Sequence, residues 1–124
     1  MVSIKSIRLD TSLESEGVWE DFPYAQGVRF KIASYTCGAY TTAMREAHKA
    51  KEHSQKEHER LYAEAVARHL IRDWSGLDEG PYDYAQAIQF CTDPEYKHVR
   101  AWVEAVSTET AKYLTSARAE AGKA

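Results

Sequence analysis

Five histidines, two cysteines and a knot of carboxylates are the residues of this 124-residue chain whose types could do chemistry. His53 and His58 stand in a near repeat, Lys51-Glu52-His53 and Lys56-Glu57-His58, but a five-residue step turns about 140° round a helix and points the rings apart. His48 with Glu52, and His53 with Glu57, have the i,i+4 spacing that sets two ligands side by side, yet a zinc-type site needs a third. The segment therefore reads as a charge-laced helical surface, and no metal is expected. His69 and His98 flank apolar stripes and read as boundary residues. Cys37 and Cys91 fit no ligand spacing, and nothing around Cys37 would activate it as a nucleophile. Asp73, Asp78 and Glu79 cluster beside Gly76; a hard-cation loop is one reading, an acidic exposed turn the simpler one. With no phosphate-binding Gly-rich loop, no G-x-S-x-G elbow and no H-E-x-x-H, neither catalysis nor a cofactor is expected.

The elements that would carry these residues follow from periodicity. Val18–Pro23 and 28–33 alternate apolar and polar about Tyr24-Ala25-Gln26-Gly27, which predicts a β-hairpin with Val28, Phe30 and Ile32 facing a core and Arg29 and Lys31 facing water. Residues 4–13 add a possible edge strand. Ala39, Tyr40, Ala43, Met44 and Ala47 change to helical spacing, with a start near Gly38 and Ser34 or Thr36 as cap. Between Arg45 and Arg60 twelve of sixteen residues are Lys, Arg, Glu or His, so this stretch is either a solvated helical surface or a mobile connection, and not core. Tyr62, Val66, Leu70 and Trp74 then stack at every fourth position, predicting a helix from Leu61 to Trp74 that stops at a left-handed Gly76, with Leu77 folding back on Ile71. Asp83 and Gln86 match a capping box over a short helix. Asp93 and Pro94 close it and open the last one.

That last helix, from about Pro94 to Glu120, carries Tyr96, Val99, Val103, Val106, Thr110, Tyr113 and Ala117 in alternating steps of three and four. At 1.5 Å per residue it would run about 40 Å, so part of it is expected to project or to meet a partner, the alternative for its N-terminal half being packing within the chain against the Leu61–Trp74 helix. Tyr96, Val99, Val103, Val106 and Tyr113, with Trp102 one position off the seam, are the candidate partner-binding residues. The expected class is α+β, mainly α: a hairpin or small sheet in residues 1–35, then about four helices over 36–120 with the C-terminal one longest, and a frayed tail at 121–124, all as one domain.

Composition narrows the partners. Sixteen basic residues against nineteen acidic ones give a net charge of −3, and the basic residues of 45–60 interleave with glutamates, a poor phosphate stripe. No nucleic-acid partner is expected. No window approaches the roughly eighteen apolar residues of a membrane span, and the first residues lack a signal-peptide core, so a cytosolic chain with free thiols and no membrane partner is expected.

Ile71-Arg72-Asp73-Trp74-Ser75-Gly76-Leu77, followed by an acidic Gly-Pro loop, Tyr82-Asp83-Tyr84-Ala85-Gln86-Ala87 and then Asp93-Pro94, resembles the tail assembly chaperones of long-tailed bacteriophages. Glu16-Gly17-Val18-Trp19 before the 28–32 strand resembles the same family's opening, so the likeness runs in order over most of residues 13–115. It implies a non-enzymatic protein that binds the helical tape measure protein, helps recruit tail tube subunits, associates with itself as an oligomer or spiral, works in the host cytoplasm and is absent from the finished virion. Many relatives also make a longer frameshifted product; this chain would correspond to the short form. Trp19, Asp73, Trp74, Gly76, Asp83 and Pro94 carry the likeness, and each has a folding role of its own: Trp19 between hairpin and helix, Trp74 at a helix end, Gly76 at positive φ. Three other classes compete, a head–tail completion protein that stays in the particle, a small helical regulatory protein, and a metal-dependent enzyme, which would require stoichiometric metal.

Overall fold

A computed structural model describes residues 1–49 and 54–117. The predicted hairpin is present: β1 (Val18–Asp21) and β2 (Arg29–Ile32) pair antiparallel, with Val18 opposite Ile32 and Asp21 opposite Arg29. Phe30 and Ile32 are buried while Arg29 lies on the open face. The third strand does not come from residues 4–13, which instead form a 3₁₀ turn at Ile4–Ile7, a single bridge from Leu9 to Leu114, and α1 (Thr11–Glu16) capped by the Asp10 carboxylate. It comes from β3 (Ile71–Ser75), giving the order β1-β2-β3, antiparallel throughout.

This corrects the expected helix from Leu61 to Trp74. Helix α3 (Gln55–Ala65) passes into a π-helical turn at Val66–Leu70 and then extends as β3. A register shift between Lys31 and Ile32 sets Phe30 opposite Trp74 but Ile32 opposite Ile71. The bulge thus points Ile71 and Trp74 inward although they are three apart, a spacing that in sequence looks helical. Gly76 does take a positive φ, +87°, at the end of a strand and not of a helix. The expected Schellman stop is therefore absent. A Cβ there would lie 2.1 Å from the Gly27 carbonyl oxygen, so the hairpin turn packs directly on this backbone.

Helix α2 (Gly38–Lys49) starts where expected. Ser34 and Thr36 do not cap it directly; they build the turn before it, where the Thr36 hydroxyl donates to Glu14 Oε2 at 2.5 Å. Arg45–Lys49 and Gln55–Arg60 are both helical, the second capped by the Ser54 hydroxyl, so the charged stretch is helical surface on either side of 50–53.

Helix α4 (Tyr84–Thr92) has Asp83 in the cap position, but the Asp83 side chain accepts no cap hydrogen bond, and Gln86 instead donates to Gln89 at 3.0 Å. The capping box is thus not formed. Asp93 behaves as expected, its carboxylate accepting the Glu95 N–H at 2.9 Å with Pro94 in the first turn that leads into α5 (Lys97–Ser107).

The expected long final helix stops at Ser107, so α5 has eleven residues against twelve in α2 and is not the longest helix among the described residues. The Ser107 and Thr108 hydroxyls donate to the carbonyls of Glu104 and Ala105 at 2.6 and 2.7 Å, the side-chain competition with helix bonding that hydroxyl residues bring. The chain then turns back through a 3₁₀ turn at Thr110–Tyr113. Tyr113 is fully buried, its hydroxyl donating to the Ile32 carbonyl at 3.0 Å. The remainder of the predicted helix, 118–120, and the tail at 121–124 lie outside the described residues.

One apolar core joins the inner face of the sheet to α3, the π-turn, α4 and α5. Its centre is aromatic: Phe30, Trp74 and Phe90 meet edge to face at 5.5 to 6.2 Å, and the Trp74 indole N–H donates to the Gly80 carbonyl at 3.0 Å. The α+β, mainly α class is the observed one.

Candidate partner-binding surface

Of the six residues predicted to meet a partner, four face inward. Val99, Val103, Val106 and Tyr113 are all buried, so the three-and-four seam is spent on this chain's own core. Helix α5 closes over α4 and the π-turn, and the seam's end is brought round by the turn at Thr110–Tyr113. Tyr96 is half-buried with its ring 5.4 Å from Phe90. Trp102 sits at the border, half-buried, with rings of Phe30 at 5.7 Å on its inner side and Phe22 at 5.1 Å on its outer side.

Trp102 opens onto a surface that the seam alone does not reveal. Phe22 directly follows β1, and Tyr24, 68% exposed, comes after it across Pro23 in the hairpin turn, the two rings edge to face at 5.4 Å. His98, one helical turn before Trp102 on α5, stands 5.7 Å from Tyr24 and 6.4 Å from Phe22. Four rings from two elements thus form a continuous rim, with its inner edge anchored in the core and its outer edge in water. Such a rim gives large contact area with little side-chain entropy to lose, the composition of binding hot spots. Two aromatics in Phe22-Pro23-Tyr24, where a turn ordinarily carries polar residues, and the i,i+4 pairing of His98 with Trp102 are the signals that could have found it.

A second surface is a groove of about 410 Å³ between α2 and the α3–π segment. Its floor is made of Ala43, Ala47, Leu61 and Ala65, and Glu46, Glu64, Arg68 and His69 stand at its mouth. The charges there are unequally engaged. Glu64 pairs with Arg60, and Arg68 lies over the Tyr84 ring at 4.6 Å, whereas Glu46 forms no ion pair among the described residues. Burial, helped by the charges of Arg68 and Arg72, holds His69 below its usual pKa.

A hollow of about 510 Å³ between α3, α4 and α5 has Ala63, Ile88 and Cys91 on its floor. Burial pushes the Cys91 thiol up to about 12, the opposite of an activated nucleophile. Cys37 and Cys91 are both buried and free.

The residues carrying the family likeness are placed as follows. Trp19 lies opposite Lys31 on the open face of the sheet, 37% exposed, with the Arg29 guanidinium 5.6 Å from its ring; the alternation of β1 turns it away from the helices, so it does not pack between hairpin and helix. Trp74 is core, in a strand. Asp73 accepts the Trp74 N–H at 2.8 Å, and Asp78 and Glu79 are exposed in the loop beyond. Among the described residues no group of three or more His, Cys, Asp or Glu is placed to hold a metal ion. The His48–Glu52 and His53–Glu57 pairings fall outside them; His48 Nδ1 is 3.1 Å from the Tyr62 hydroxyl. No described helix is long and apolar enough to cross a membrane.

Fold and surfaces together define a small, mainly helical α+β protein whose exposed features are an aromatic rim and a small-residue groove. The profile of the YdaY prophage protein family matches residues 27–124, from the hairpin turn to the last residue. The chain belongs to that family, and it is a phage-derived protein. No curated protein and no solved structure matches it.

Proposed function

We propose that this protein is a non-enzymatic tail assembly chaperone: it binds the tape measure protein and helps recruit tail tube subunits in the host cytoplasm, without remaining in the virion. The prophage family supplies the setting, and the ordered likeness to tail assembly chaperones supplies the role. The observation that carries the reading is the rim of Phe22, Tyr24, His98 and Trp102, an exposed aromatic surface of the kind that grips an apolar helix. The client is protein, with no nucleic acid or membrane involved.

Co-expression with the tape measure protein of the same prophage, followed by size-exclusion chromatography with light scattering, tests the reading. A soluble complex is expected, lost in the double variant Tyr24→Ala/Trp102→Ala while the variant's far-ultraviolet dichroism stays that of the parent. A client that stays insoluble beside a well-folded parent protein overturns it. Recovery of the protein in purified particles would favour a completion protein.

A further inference from the structure

The 3₁₀ turn Ile4–Ile7 is an apolar arm that no packing among the described residues covers. Ile4 is 81% exposed and Ile7 65%, and three residues apart in a 3₁₀ turn they share one face. The arm is nevertheless held at its root. Leu9 bridges Leu114, the Thr115 N–H donates to the Arg8 carbonyl at 3.0 Å, and the Asp10 N–H donates to the Tyr113 carbonyl at 2.8 Å. Two β-branched side chains are thereby presented to solvent on a fixed base, with Lys5 and Arg8 beside them and no acidic residue before Asp10.

The α2–α3 groove has the complementary character. Alanines floor it where larger side chains would have filled it from within, leaving space of about 410 Å³. Of the charges at its mouth, Glu64 and Arg68 are engaged by Arg60 and Tyr84, and Glu46 is the carboxylate without an ion pair among the described residues. A cationic apolar arm and an apolar groove with the Glu46 carboxylate at its mouth are thus carried by every copy of the chain.

We propose that the Ile4–Ile7 arm of one protomer docks in the α2–α3 groove of a second copy, Ile4 and Ile7 seated over Ala43, Ala47 and Ala65 and Lys5 or Arg8 paired with Glu46. The contact joins two different patches, so it is heterologous and repeats, closing as a ring or continuing as a spiral. It uses neither Tyr24 nor Trp102 and stands whether or not the rim holds a tape measure protein.

Light scattering on the purified full chain over a range of concentrations reads the contact directly. The parent is expected to rise above single-chain mass with concentration. Ile4→Asp/Ile7→Asp, which changes only exposed side chains, and Ala43→Arg, which sets a cation on the half-buried groove floor, are each expected to remain monomeric with parental dichroism. Mixed, they are expected to give a capped two-chain species, because one retains an intact groove and the other an intact arm. Glu46→Lys is expected to weaken self-association about tenfold, and Lys5→Glu/Arg8→Glu in the same chain to restore it. A parent monomeric at every concentration, arm or groove variants that still assemble, or a mixture that forms no two-chain species would overturn the proposal.

Discussion

The two sides of the helix α3 layer are built on opposite plans. Toward the sheet lies the cluster of Phe30, Trp74 and Phe90, large rings in edge-to-face contact with the Trp74 indole N–H hydrogen-bonded. Toward α2, three of the four floor positions are alanines, the fourth being Leu61, and an open groove remains. The first side is closed, with its large side chains buried. The second brings two helix backbones close and leaves room for something outside the chain. One side is therefore filled and the other open, and substitutions on the two sides should behave in opposite ways.

The largest effect is expected at Trp74. Trp74→Ala would empty the centre of the ring cluster and leave the Gly80 carbonyl without its indole donor, a loss of about 4 kcal/mol in urea unfolding. A loss below about 1 kcal/mol would mean that the cluster does not anchor the core. Next is Gly76→Ala. Its φ of +87° and the Gly27 carbonyl oxygen 2.1 Å from where a Cβ would sit leave no room for a side chain, and about 3 kcal/mol of destabilisation is expected. By contrast Gly27, with a similar φ of +84° and open space around it, should accept alanine for about 1 kcal/mol, which separates the clash from the dihedral strain.

The hairpin is legible in the sequence because its signal is local: Val28, Phe30 and Ile32 alternate with charged neighbours beside a glycine-bearing turn. Gly38 as a helix start and Asp93-Pro94 as a boundary are legible for the same reason. Ile71–Ser75 is not, since the bulge that sets Ile71 and Trp74 inward imitates a helical step, and the edge of β2 that recruits the segment is about forty residues away in the chain. The seam on α5 is legible as apolar but not as internal. Nothing in a three-and-four repeat says whether its partner helix belongs to the same chain. The rim is partly legible: Trp102 is singled out by its place beside the seam, while Phe22, Tyr24 and His98 join it only through the fold.

A smaller effect should separate the two sides by volume. Ala87 is fully buried within the core, so Ala87→Leu overpacks it and should cost about 2 kcal/mol. Acidity tests the groove mouth. His69 is held below its usual pKa, chiefly by burial and further by Arg68 and Arg72, so the unfolded chain takes up this proton more readily than the folded one. Stability from this group is present above the unfolded pKa of about 6.5 and falls as the pH drops through it toward the lower folded value. Urea midpoints at about pH 7.5 and about pH 5.5 should differ less in His69→Gln than in the parent; an unchanged difference would remove His69 from the account.

The smallest effect is the one that most sharpens the contrast. Ala43 is half-buried on the groove floor, and Ala43→Leu adds there the same three carbons that Ala87→Leu adds in the core. In the groove the added carbons meet open space and alanine neighbours, so the change in unfolding free energy should stay within about 0.5 kcal/mol of zero. Filling the hollow should at the same time abolish concentration-dependent association, since the volume that the arm needs is gone. A cost of about 2 kcal/mol at Ala43, equal to that at Ala87, would mean that the groove is packed from within and that α2 and α3 do not hold space for a partner.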